Sequence, residues 1–102
     1  MKQMIVGIST IEIFFPENQS LKDKRQALKK IVEKTRTKFS ISIMEINQNN
    51  LWQRAQIGFS VVGVKRDHVY RMIDNVHEYV ESLYIGTIID TKTEIIVMGN
   101  EI

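Results

Sequence analysis

The sequence predicts a single α+β domain of order βαββαβ, with a four-stranded antiparallel sheet carrying two helices on one face. Three observations predict it. Apolar residues recur at helical spacing in two stretches, at Leu21, Leu28, Ile31, Val32 and Thr35 and again at Val69, Met72, Ile73, Val76, Val80 and Leu83. Runs rich in Ile, Val, Phe and Thr flank and separate these stretches, giving two strand–helix–strand units whose simplest closed arrangement is this one. A length of 102 residues, 43% of them hydrophobic, supplies one modest core, so residues 1–102 form one domain.

Taken in order, residues 4–15 read as the first strand. Its apolar residues fall in both alternation phases, Val6 and Ile8 in one and Ile5, Ile11 and Ile13 in the other, as a strand covered on two sides requires. Pro16 ends it, because proline brings no ladder donor. Ser20 is the expected N-cap of the first helix, with Asp23 standing in for the Glu of a capping box, and the helix runs to about Lys38. Residues 39–46 read as the second strand, and 47–53 as a polar connection that carries Leu51 and Trp52. The third strand spans 55–64, where Gly58, Ser60 and Gly63 leave room for close approach. Asp67 is the expected N-cap of a second helix reaching about Leu83, and after Gly86 the fourth strand covers 87–98, with an interruption expected near Thr91 to Thr93. With right-handed crossovers the first and second strands lie parallel and are separated by the third, which is the ferredoxin-like arrangement. The sheet face opposite the helices is left for a partner subunit, so a homo-oligomer, a dimer in the simplest case, is expected.

Composition excludes several classes of function. Without cysteine there is no disulfide framework, thiolate nucleophile or sulfur ligand. The apolar start is interrupted at Glu12 and lacks a small-residue cleavage site, and no apolar run is long enough to span a bilayer, so neither a signal peptide nor a membrane span is expected. His68 and His77 fall on opposite sides of their helix, which argues against a shared metal site. No Gly-rich phosphate loop and no catalytic constellation is present, so neither a cofactor nor a catalytic residue is assigned. Tyr70, Tyr79 and Tyr84 are expected to be partly buried with their hydroxyls in water.

Charge is the most informative feature. The net charge is +2, but eight of the fourteen basic residues lie on the first helix. Up to Lys38 nine basic residues face four acidic ones, and from Phe39 onward five face eight. Lys22, Arg25, Lys29 and Arg36 fall on one flank about 40 to 100 degrees from Leu21, and Lys24 lies close by in sequence. Two readings fit: a row that follows a phosphate backbone, or a solvated face whose aliphatic stems cover an apolar border. Trp52 with Arg54 beside it suits base stacking and phosphate contact, or equally loop anchoring and self-association. Glu45 shares the phase of Ile41 and Ile43 and is expected to pair with Arg54 or Lys24. No exposed aromatic pair stands on the central strands, which moves a nucleic-acid reading from the sheet to the helix and loop.

Several segments together, residues 20–39, ISIMEI at 41–46, LWQRAQIGFSVV at 51–62 and the helix at 69–82, resemble the small YlxP-like, or DUF503, family of bacterial proteins. The most specific parts are Ser20-Leu21-Lys22 with Lys24-Arg25, and Leu51-Trp52-Gln53-Arg54-Ala55. Asn47-Gln48-Asn49-Asn50 departs from the shorter, acidic connection associated with that family. The resemblance implies a self-associating ferredoxin-like protein of the cytoplasm and no established activity. Family genes lie beside those for translation initiation and ribosome maturation, which favours structured RNA or a ribosomal subunit as partner. On this reading Lys22, Lys24, Arg25, Lys29, Arg36, Trp52 and Arg54 form the nucleic-acid contact. The rival reading is a protein-interaction or regulatory module that uses the open sheet face or an edge strand.

Overall fold

A computed structural model describes residues 3–99 and gives β1 (Met4–Phe14), α1 (Leu21–Phe39), β2 (Ser42–Ile46), β3 (Arg54–Gly63), α2 (Arg66–Ser82) and β4 (Thr87–Met98). The four strands form one sheet in the order β2-β3-β1-β4, each neighbouring pair antiparallel, with two helices, as the ferredoxin-like reading requires. β4 is continuous through Thr91 and Thr93, contrary to expectation. Its irregularity lies earlier: Glu12 pairs with Asp90 and Ile13 with Ile88, which leaves Ile89 as a bulge residue.

Strand alternation divides the sheet into two faces. Ile5, Ser9, Ile11 and Ile13 of β1, Ile43 of β2 and Ala55, Ile57, Phe59 and Val61 of β3 are buried beneath Leu28 and Ile31 of α1 and Val69, Ile73, Val76 and Val80 of α2. The other phase of β1 is not closed over within the chain, since Met4 and Ile8 are exposed and Val6 is half-buried. With Val62, Ile96 and Met98 they form an apolar end of the open face.

Close approach of α2 to the sheet depends on a glycine that strand patterning does not single out. A Cβ on Gly7 would come within 2.5 Å of both Ile73 Cδ1 and Val69 Cγ1. Gly63 serves the same helix, its Cβ position lying 2.9 Å from Val69 Cγ2, whereas Gly58 meets only Ile46. α2 begins two residues earlier than an N-cap at Asp67 allows: Lys65 occupies the N-cap without a side-chain bond. Asp67 instead lies in the first turn, where its charge complements the helix dipole. Tyr79 packs edge-on to Phe39 at 5.5 Å, but Tyr84 is 91% exposed at positive φ in the turn before β4, against the expectation of partial burial.

Candidate nucleic-acid interface

The start of α1 is fixed by a reciprocal cap. Ser20 Oγ accepts from the Asp23 amide at 3.0 Å, and the Gln19 amide donates to Asp23 Oδ2 at 2.8 Å, so aspartate does the work of the usual glutamate one residue further out. The helix ends on Ser40 in the left-handed region, whose amide returns to Arg36 O. Between these caps Lys24, Leu28, Ile31 and Thr35 form the buried stripe. Lys22, Arg25, Lys29 and Arg36 are exposed along its border, Lys22 and Arg36 being about 21 Å apart along the axis at ~1.5 Å per residue.

Lys24 does not belong to that row. It is 3% exposed, and its ammonium group donates to Asn49 O at 2.9 Å, Asn49 Oδ1 at 3.0 Å and Arg54 O at 3.3 Å. All three ammonium donors are thus used inside the protein, which corrects its assignment as a phosphate ligand. Its work is to tie α1 to the β2–β3 connection. The spacing of Lys24 to Leu28, Ile31 and Thr35 is the signal that could have placed it on the buried face. Arg36 is partly committed as well: one guanidinium nitrogen donates to Ile43 O at 2.8 Å, leaving the remainder of the group at the surface.

Asn49, held by Lys24, in turn orders the loop. Its Oδ1 also accepts from the Leu51 amide at 2.9 Å, while Asn18 Nδ2 donates to Trp52 O at 3.1 Å and Gln53 Nε2 reaches Pro16 O and Asn18 O. The backbone around Trp52 is therefore held, while the residue itself is 53% exposed with Leu51 beside it at 57%. Trp52, Phe14 and Arg54 line a cleft of about 410 Å³ on one side of the loop. On the other side Arg25, Lys24 and Glu45 line a second cleft of about 390 Å³. Asn50 lines both, so the aromatic and basic surfaces meet across one residue.

Glu45 is half-buried, lines the basic cleft and forms no ion pair within 4.0 Å among the described residues. The expected partners are taken: Arg54 lies 3.8 Å from Glu12 across the open face, and Lys24 is held by Asn49. No cluster of three His, Asp or Glu side chains able to hold a metal is found among the described residues, and His68 and His77 do not converge. His77 is not a plain helix-border residue, however. Thr93 Oγ1 donates to buried Ser9 Oγ at 3.3 Å, and Ser9 Oγ lies 2.9 Å from His77 Nε2. With Thr93 donating, the Ser9 proton is free for Nε2, which matches the neutral ring protonated on Nδ1. Desolvation beside Phe59 pulls the His77 pKa below its ordinary 6.5, and nearby Asp74 opposes that shift. Among the described residues no helix is long and apolar enough to cross a membrane.

Two de novo designed proteins are similar in shape. Foldit4 has TM-score 0.46 and 10% identity, covering 98% of this chain and 100% of its own. Ferredog-Diesel has TM-score 0.42 and 13% identity, covering 88% and 83%. The uncharacterized protein YlxP of Bacillus subtilis (strain 168) is 31% identical over 78 residues, which is 76% of this chain and 85% of that protein. The model of the protein family of unknown function DUF503 matches residues 6–93, from β1 through most of β4 and across both clefts, and the chain belongs to that family.

Proposed function

We propose that this protein is a non-enzymatic RNA- or ribosome-associated accessory factor of the cytoplasm. Phosphates would lie along Lys22, Arg25, Lys29 and Arg36, and an unpaired base would stack on Trp52 with Arg54 alongside. The observation that carries this reading is the meeting of the two clefts at Asn50, which sets an exposed indole and an exposed guanidinium on either side of one anchored loop. Phosphate contacts along a helix give affinity with little sequence selectivity, while a stacking side chain favours unpaired bases over duplex. Selectivity then follows from RNA shape, a bulge or loop presenting a base beside a continuous backbone. Glu45 lines the basic cleft beside Arg25 and works against anion entry there, so the phosphates follow the exposed row of α1 and do not enter the cleft.

The test is binding to ribosomal subunits and to structured RNA across a salt titration. Replacing Lys22 and Arg25 together by alanine is expected to leave the fold intact, weaken binding and reduce the slope of log K against log salt by about 1.4 to 1.8, given roughly 0.7 to 0.9 per phosphate. Trp52→Ala is expected to weaken binding to RNA with unpaired bases by about 10-fold with little change in slope. Equal binding by wild type and the double variant, or none by either, would remove the basic row from function. A second reading, a protein-interaction module, is favoured by the apolar open-face end at Met4, Ile8, Val62, Ile96 and Met98, and its sign would be association that salt does not weaken.

A further inference from the structure

We propose that the protein forms a two-fold dimer by pairing the outer edge of β4 with the same edge of a second copy, the strands running antiparallel about an axis at Thr93. The two edges of the sheet are built differently. β2 is a five-residue edge whose Ile43 carbonyl is capped by Arg36, so it is short and blocked. β4 is twelve residues long, contains no proline, and among the described residues no side chain hydrogen-bonds its backbone. Its charges, Asp90, Lys92 and Glu94, project from the open face, opposite Glu12, Thr10 and Ile8 of β1, and so do not guard the edge.

Hydrogen-bond parity fixes which residues are available. The Ile43 carbonyl points off the sheet to Arg36, so the Ile43–Phe59 pair is a non-hydrogen-bonded one and the backbone of Phe59 faces β1. Phe59 pairs with Ser9, which directs the odd residues of β1 to β3 and the even ones to β4. The even residues of β4 are thereby used, Lys92 with Thr10 and Glu94 with Ile8, and Thr91, Thr93 and Ile95 present free amides and carbonyls outward. A symmetric antiparallel pair on this edge can centre on an odd residue, in a hydrogen-bonded pair, or on an even one, in a non-hydrogen-bonded pair. An axis at Asp90, Lys92 or Glu94 sets that charge against its own copy and one at Ile96 leaves Glu94 opposite Met98, so the odd centres remain.

Charge and the bulge select among the odd centres. An axis at Thr93 sets Lys92 opposite the partner's Glu94 and Glu94 opposite the partner's Lys92, and it keeps a regular ladder from Asp90 to Ile96 on both strands. An axis at Thr91 would pair Lys92 with Asp90 but run at once into the bulge at Ile89. An axis at Ile95 would face Glu94 with Ile96 and Lys92 with Met98, with no charge matched. The Thr93 register therefore satisfies backbone and side chains together, and joins two sheets into one of eight strands about 38 Å across at ~4.8 Å per strand. Because the axis is normal to the sheet, all four helices share one face, and the two basic rows remain free. The dimer stands independently of the RNA reading.

A cysteine-free chain makes the test direct. Across the axis a hydrogen-bonded pair has its Cα atoms about 5.5 Å apart, within disulfide reach, so Thr93→Cys is expected to give a covalent dimer on mild oxidation. Thr91→Cys, whose partner copy lies about 13 Å away along the strand, is expected not to. In sedimentation equilibrium, Lys92→Glu and Glu94→Lys should each raise the dimer dissociation constant by about tenfold, and the double reversal should restore it. A wild type that stays monomeric to about 100 μM, equal cross-linking at both cysteines, or a dimer indifferent to both charge reversals would overturn the proposal.

Discussion

At the scale of single residues, one buried and one half-buried polar group on the helix side of the sheet behave differently. Thr35 is fully buried in α1, and its hydroxyl has no hydrogen-bond partner among the described residues. A buried hydroxyl left unpaired costs about 1–3 kcal/mol, while valine has the same shape. Thr35→Val is expected to stabilise the protein by about 1 kcal/mol, visible in thermal unfolding as a rise of roughly 4 °C. His77 is bonded to Ser9 and has a folded-state pKa below 6.5. The unfolded chain then binds more protons between the folded-state pKa and 6.5, so stability is level above about pH 7 and falls as pH drops through that window. A urea midpoint measured from pH 8 to pH 5 should show the fall, and His77→Gln should reduce it. The same midpoint in both proteins at every pH would contradict this account. Neither residue declared itself in the sequence. Thr35 was legible as part of the apolar stripe but not as an orphan, and the partner of His77 is 68 residues away in a different element.

At the scale of elements, the contact between α2 and β1 rests on Gly7. Alanine there would drive its methyl against Ile73 Cδ1, which can rotate, and Val69 Cγ1, which is stiff because valine branches at Cβ. Gly7→Ala is expected to cost about 1–2 kcal/mol, read as a lower denaturant midpoint with an unchanged m-value. Periodicity was enough to recover all six elements and their order, because each helix keeps a 3.6-residue stripe and β1 and β3 alternate cleanly. It did not distinguish Gly7 from Gly58, since a strand pattern shows which face a glycine is on only after the helix-covered face is known. Lys24 escaped for a related reason: a lysine enters a core when acceptors are brought to it, and Asn49 and Arg54 O arrive from a loop without period. The basic row itself was legible as a flank of α1, and the loop geometry that sets Trp52 beside it was not.

At the scale of the whole molecule, the sheet order sets a sequence of events as well as a shape. β1, the first strand, lies inside the sheet, and the neighbour that completes it is β4, the last. Contacts of this span make the topology one of high contact order, whose folding is slow relative to helical bundles. Synthesis adds a delay. The roughly 70 residues between the end of β1 and the start of β4 take about 4–15 s to make at ~5–20 residues per second. As β3 and then α2 are made within that interval they can settle on β1, while its other margin stays open from Ile5 to Ile13 until β4 follows. A chain ending at Tyr84 should therefore capture a synthetic peptide of the β4 sequence in trans, measurable by fluorescence anisotropy, and precipitate without it. Nascent protein thus spends seconds as an acceptor awaiting its own final segment, and any neighbouring nascent copy that finishes first can lend that segment instead.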